Sequence, residues 1–354
     1  MVVVNRDGPR EQALLLGPRR SLVGVLTPPV EGAPARDRAV VILNSGIIHR
    51  VGANRLHVEL ARDLARAGFR VLRFDLSGIG DSPARTDPGE SILDSVMQDI
   101  RDAVDHVAGK DWRVVIFGLC SGAAHGLLYA PRDERIAGLV LIDLWIPHTR
   151  KYHVVRTWRR VSARQGWLNL ITGRHPMVRR LAQIVRDQLG LASNGELAAS
   201  GRADAPPRAP NDLESGIDSE AGASTTEAEV RTLWQNALRA LIARRLPVLG
   251  VFTAGLENQH NYANQLFDAF DDLKFGEEFR VEWFPDSDHT FSSPERRGRL
   301  RSMVVSWMSN APANANADLT TPRGDRARSL IASLWLAVAA SASSTLTALL
   351  TRLR

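Results

Sequence analysis

One cysteine, Cys120, is present in 354 residues. A single thiol excludes an intramolecular disulfide framework and suits a reducing compartment. The first thirty residues lack the apolar core of a secretory signal, because Met1-Val2-Val3-Val4 is too short and charges follow at once. No zinc-finger, helix-turn-helix or RNA-binding pattern occurs, so no nucleic-acid partner is expected. No Walker lysine follows Gly78-Ile79-Gly80, and the dinucleotide fingerprint is incomplete there. No cofactor and no metal site is expected. Carboxylates are absent from His148 to Arg186, a stretch rich in arginine with Lys151. That block is either a solvated helical face or a surface for an anionic ligand or membrane. Charges are absent from Ser329–Thr351, while Arg326, Arg328, Arg352 and Arg354 flank it. The run is long enough for a bilayer, which takes roughly 20 apolar residues. Serine and threonine supply about a third of it, which makes insertion marginal.

What is present is ample for a core, with an apolar share of 44%. Glu11–Leu16 and Ser21–Thr27, split by Gly17-Pro18, read as a hairpin. Strand and helix then alternate: Ala39–Leu43, a helix over about 54–68, Phe69–Phe74, a helix near 92–107, Val114–Phe117, a helix to about 130, and Ile136–Ile142. That rhythm argues for an α/β fold with a mostly parallel central sheet and helices on both faces. It stops after residue 144 and returns with Pro247–Phe252, a helix near 262–273, Arg280–Phe284 and a helix over Pro294–Asn310. The domain division is therefore a core of 11–144 and 246–310, interrupted by a helical cap over 145–245. Within the cap, 191–228 has almost no large apolar side chain and reads as a disordered insertion, followed by a helix near 228–244. Residues 311–328 are a linker, and 329–351 an uncharged C-terminal helix.

The chemistry centres on Val114-Val115-Ile116-Phe117-Gly118-Leu119-Cys120-Ser121-Gly122. A buried strand runs into small residues spaced as small-x-nucleophile-x-small and then into an Ala-rich helix, the pattern of a nucleophile elbow. Gly118 and Gly122 frame Cys120, whereas the same frame around Ser121 would place bulky Leu119 in the crowded turn. The spacing selects the cysteine. Its thiol needs a base to act, and His289 lies in a loop after the last strand. The chain order nucleophile, acid, histidine is that of the α/β-hydrolase arrangement. The acid is Glu257, after the strand ending at Phe252, or alternatively Asp143, after the strand ending at Ile142. Asp286 and Asp288 read as loop caps. Backbone amides of Ser121 and Ile47 are the expected oxyanion hole, with Gly46 allowing close approach.

Asn44-Ser45-Gly46, His49-Arg50-Val51-Gly52, Asn54-Arg55 and Arg73-Phe74-Asp75-Leu76-Ser77-Gly78-Ile79-Gly80-Asp81-Ser82 resemble α/β-hydrolase-fold proteins of the serine-aminopeptidase-like group. They are similar, more narrowly, to hydrolases associated with exosortase and exopolysaccharide systems in bacteria. Gly118-Leu119-Cys120 resembles the cysteine elbow of one branch, and Asn261-Tyr262 and Asp286-Ser287-Asp288-His289-Thr290-Phe291 match late segments. The resemblance covers about 12–310. It implies an α/β-hydrolase fold, a Cys/His/acid site in the manner of dienelactone hydrolases, and hydrolysis or transfer of an acyl group from a small-molecule ester or thioester. Leu256-Glu257 departs from the Gly-x-Asp of many such proteins, so both acids stay open. The alternative function is a non-catalytic, membrane-associated accessory protein of an exopolysaccharide or protein-sorting system. A cytoplasmic location is expected, at the inner face of the cell membrane if the C-terminal run engages lipid. The sequence implies no oligomeric state.

Overall fold

The computed structural model describes residues 9–85, 91–108, 112–162, 226–256 and 259–310. The chain divides into two units, Met1–Ala313 and Asn314–Arg354. The second lies outside the described residues, as do most of the expected insertion at 191–228, the linker 311–328 and the run 329–351.

Eight strands form one sheet in the order β1-β2-β4-β3-β5-β6-β7-β8. β1 (Gln12–Leu16) and β2 (Leu22–Thr27) are the expected hairpin, and β2 lies antiparallel on β4 (Arg70–Phe74). β3 (Arg38–Ile42), β5 (Arg113–Leu119), β6 (Ile136–Ile142), β7 (Val248–Thr253) and β8 (Phe279–Phe284) pair in parallel. β3, β5 and β7 carry side chains buried on both faces, as a parallel sheet covered by helices requires.

The period of two along each strand sorts the apolar residues between two clusters. Val40, Ile42, Val115 and Phe117 point to one, built up by α1 (Leu56–Arg66) and α7 (Pro294–Asn310). Val41, Val114 and Ile116 point to the other, built up by α2 (Ile92–Ala108), α3 (Ser121–Tyr129) and α5 (Glu227–Ala243). Between α3 and α5 comes α4 (Arg150–Ser162). Leu56, Leu60 and Leu64 on α1 are essentially sealed from water, which stabilises the fold by roughly 2 kcal/mol per side chain.

Three local expectations shift. The helix read as 54–68 begins only at Leu56, because Asn54 and Arg55 adopt left-handed backbone angles that an α-helix cannot continue. The helix read as 262–273 is only Gln265–Ala269, here α6. Glu227 and Ala228, placed in the expected insertion, begin α5, where Thr226 and Glu229 form a capping box. α5 also buries Trp234, Leu238 and Leu241 in the sheet's own core. That part of the 145–245 stretch therefore covers the sheet and does not overhang it.

Candidate active site

Parallel strands converge their C-terminal ends on one edge of the sheet, and the loops leaving that edge carry the polar residues expected to react. β5 ends at Leu119, and Cys120 follows with φ 56° and ψ −117° before α3 begins. A side-chain-bearing residue in that region is strained and persists only where its surroundings hold it. They do so here. The Cys120 amide donates to Ile142 O at 2.9 Å, and Cys120 O accepts from the amides of Ala123 and Ala124. The strand and helix also approach so closely that only hydrogen fits at the two flanking positions. A Cβ on Gly118 would lie 2.2 Å from the Gly122 carbonyl, and one on Gly122 would lie 2.4 Å from Asn44 O. The thiol is neither sealed in the core nor fully exposed. Gly122→Ala must therefore displace the β3 loop or the elbow. We expect a loss of several kcal/mol, roughly the range of severe overpacking, read as a lowered urea midpoint.

Two further turns bring partners to the thiol. β6 ends at Ile142, and Asp143 follows with φ 47°, a second strained non-glycine residue on this edge. The loop after β8 carries His289, whose Nδ1 lies 2.8 Å from Asp143 Oδ2. Asp288 holds that loop by accepting from the amides and hydroxyls of Thr290 and Ser292, the capping role expected of it. His289 is 7% exposed. Burial alone would push its pKa down, but hydrogen bonds to Asp143 and Cys120 and electrostatic attraction to both outweigh it and raise the pKa to about 10. The ring thus sits between a carboxylate and a sulfur that both favour its protonated form.

The carboxylate beside His289 is Asp143, the alternative acid offered by the sequence. Glu257 lies outside the described residues, and the one hydrogen-bonding position on His289 Nδ1 is filled. Asp143 is fully buried and saturated. Oδ1 accepts from the Thr253 amide at 2.7 Å and faces His260 Nε2 at 3.1 Å. Oδ2 accepts from Thr253 Oγ1 at 2.8 Å and faces His289 Nδ1. Neither Thr253 nor His260 was singled out from sequence. The signal for them was position alone: Thr253 ends β7, the strand adjacent to β6 in the sheet, and His260 lies in the segment after it.

The loop after β3 completes the site. Ser45 O accepts from the Ile48 amide at 3.0 Å, closing a tight turn with Gly46 and Ile47 at its corners. Gly46 takes φ 52°, which a side chain would resist, and its amide donates to Ser121 Oγ at 2.7 Å. The Ser121 hydroxyl thus ties the elbow to this turn. The Ile47 amide belongs to the central peptide of the turn, and the Ser121 amide is the first of α3, where no preceding helical turn supplies an acceptor. Buried Asp75 fixes the loop from below. It accepts from Asn44 Nδ2 at 3.2 Å and from the Arg50 amide at 2.6 Å, and pairs with the Arg50 guanidinium. Gly80 crosses this carboxylate so closely that a Cβ would lie 2.4 Å from it. Gly80 thus lets the backbone pack on Asp75. Among the described residues, no group of histidine, cysteine, aspartate or glutamate is placed to hold a metal ion.

A family model described as the alpha/beta hydrolase fold matches residues 39–172, from β3 through the turn at Cys120 and past Asp143 and α4. The chain has the α/β-hydrolase fold. Solved structures of this fold that are similar to it include dienelactone hydrolase from Anabaena variabilis, at 15% identity and a TM-score of 0.46, covering 85% of this chain and 97% of that one. Proline iminopeptidase from Mycobacterium smegmatis is 16% identical with a TM-score of 0.47, covering 84% and 97%. A serine hydrolase without lid from Xanthomonas campestris is 14% identical with a TM-score of 0.46, covering 85% and 93%. No curated protein matches the chain. Among the described residues, no helix is long and apolar enough to cross a membrane. Within this hydrolase fold, Cys120 occupies the elbow, His289 the loop after β8 and Asp143 the end of β6.

Proposed function

We propose that the protein hydrolyses or transfers the acyl group of a small-molecule ester or thioester through Cys120, His289 and Asp143. The observation that carries this reading is the chain of contacts from Asp143 Oδ2 through His289 to Cys120. An imidazolium beside the sulfur favours the thiolate, the form that attacks a carbonyl. Attack forms a carbon–sulfur bond and moves the carbonyl electrons onto oxygen. The amides of Ser121 and Ile47 would receive that oxyanion. Collapse expels the alkoxide or thiolate, which takes the proton from His289 and leaves a thioester on Cys120. Water, deprotonated by His289, then releases the acid, or another acceptor takes the acyl group. The narrower assignment, to hydrolases associated with exosortase and exopolysaccharide systems, rests on the motifs at 44–55, 73–82 and 286–291. On that reading the run 329–351 is where the chain would meet a membrane, from the cytoplasmic side.

Because Cys120 is the only thiol, alkylation can be read on the intact protein by mass. Iodoacetamide at neutral pH should label it at least tenfold faster than a free peptide thiol, and His289→Ala should remove that advantage. Cys120→Ala should abolish turnover of short-chain p-nitrophenyl and coenzyme A esters. Labelling at the peptide rate, indifferent to His289, would sink the mechanism and favour a non-catalytic, accessory role.

A further inference from the structure

Asp143 has an imidazole on each side, and only one of them, His289, has a part in the chemistry above. We propose that the other, His260, is a positioning residue that donates its Nε2–H to Asp143 and holds that carboxylate aimed at His289. This inference rests on the role given to Asp143 and His289.

Lone-pair counting fixes the direction of the hydrogen bond. A carboxylate offers about four acceptor sites. Asp143 faces four groups: the Thr253 amide and hydroxyl, His289 Nδ1 and His260 Nε2. A lone pair on His260 Nε2 would repel the carboxylate, so the proton belongs there. The remaining nitrogen, Nδ1, is buried without a hydrogen-bond partner. A proton on Nδ1 would strand a buried donor as well as oppose the carboxylate, so both ends of the ring select the Nε2–H tautomer.

The ring is also kept neutral. His260 is fully buried, and burial pushes its pKa down to about 4 against the pull of Asp143, with the charge of His289 and that of His148 acting in the same direction as burial. Asp143 therefore has one charged partner and one neutral donor. With two cations it would be shared equally, and the imidazolium of His289 would lose its bias. The ring packs edge-on against Phe252, with centroids 5.1 Å apart and planes at 85°. Its backbone is built in too. The His260 amide donates to Leu256 O at 2.9 Å, the Asn261 amide to Gln265 Oε1 at 3.1 Å, and Asn261 Nδ2 to Tyr152 O on α4 at 3.0 Å.

Histidine NMR on uniformly 15N-labelled protein tests this directly. In wild type and in Cys120→Ala, His260 should be the neutral Nε2–H tautomer from pH 5.5 upward. His260→Leu removes a donor that shares the carboxylate with His289 and should strengthen proton binding by His289 about tenfold, while His260→Gln, whose amide can donate, should bring it most of the way back. A purely structural role would lower the melting temperature of both variants and leave the His289 titration in place. An Nδ1–H tautomer at His260, or a His289 titration unchanged in His260→Leu, would overturn the proposal. Should His260→Leu fail to fold, the wild-type tautomer and His260→Gln still decide it. These readouts need no thiol chemistry. Slow alkylation of Cys120 beside an Nε2–H tautomer and a displaced His289 titration would therefore defeat the cysteine mechanism and leave the positioning intact.

Discussion

Asp143→Asn should lower turnover of a short-chain ester or thioester by roughly four orders of magnitude while leaving the fold in place. The size of the effect follows from the donors around the carboxylate. An asparagine has one oxygen and one NH2, so one side of Asp143 must become a donor. On the Oδ1 side the NH2 would meet the Thr253 amide, a donor that cannot turn away, together with His260 Nε2. On the Oδ2 side it would meet the Thr253 hydroxyl, which can rotate, and His289 Nδ1, which can lose its proton. The NH2 therefore settles on the Oδ2 side. His289 must then carry its proton on Nε2, the nitrogen left to face Cys120, where it can no longer accept one. Binding of substrate should change little, so the loss falls on kcat. The check is a steady-state comparison at pH 7 with circular dichroism as the folding control. A variant that keeps a tenth of the wild-type rate would remove Asp143 from the mechanism.

Stability should peak near neutral pH and fall on both sides, most steeply toward acid. His57 and His260 are each sealed from water, and burial pushes both from 6.5 to about 4, with the charge of Arg73 also acting on His57. Between those values the unfolded chain binds more protons than the folded one, so stability is complete above pH 6.5 and is lost as pH falls toward 4. Each ring should cost roughly 3 kcal/mol at pH 4. Together that is about 6 kcal/mol, comparable with the whole stability of many domains. His289 acts in the other direction. With its pKa raised to about 10, it contributes stability in full below pH 6.5, and that contribution disappears as pH rises through 10. Urea titrations between pH 4.5 and 10 should trace this dome. His57→Leu should flatten the acid side, and Cys120→Ala should weaken the alkaline side by removing one of the groups that hold the imidazolium. A stability unchanged from pH 6.5 to 4.5 would contradict the neutral state of both buried rings.

Local features of the chain were legible for definite reasons. Strands buried on both faces appear as unbroken apolar runs such as Val114–Phe117, and amphipathic helices as Leu56, Leu60 and Leu64 on one face. Gly118 and Gly122 disclosed the turn because a Cβ at either would lie only 2.2–2.4 Å from backbone atoms, a constraint written into residue type. Asn54 and Arg55 hid their part of the helix start because left-handed angles are uncommon for such side chains and leave no compositional mark. The short α6 was overread because Leu266, Ala269 and Phe270, all buried, imitate a longer helical face.

The carboxylate that meets His289 could not be chosen from the sequence. Asp143 and Glu257 each follow a strand of the same sheet, and spacing along the chain does not say which strand end faces the loop after β8. That depends on the left-handed turn at Asp143, which swings the carboxylate toward His289, and on Thr253 of the neighbouring strand, which receives it with amide and hydroxyl. His260 was invisible for the same reason, since a buried donor is defined by what it meets across 117 residues of chain. Cys120 at the turn after β5, His289 in the loop after β8 and the alternation of the sheet were legible in the sequence, because each position rests on local sterics and periodicity. Which carboxylate joins them, and what holds it there, was decided only by the packing of β6 against β7.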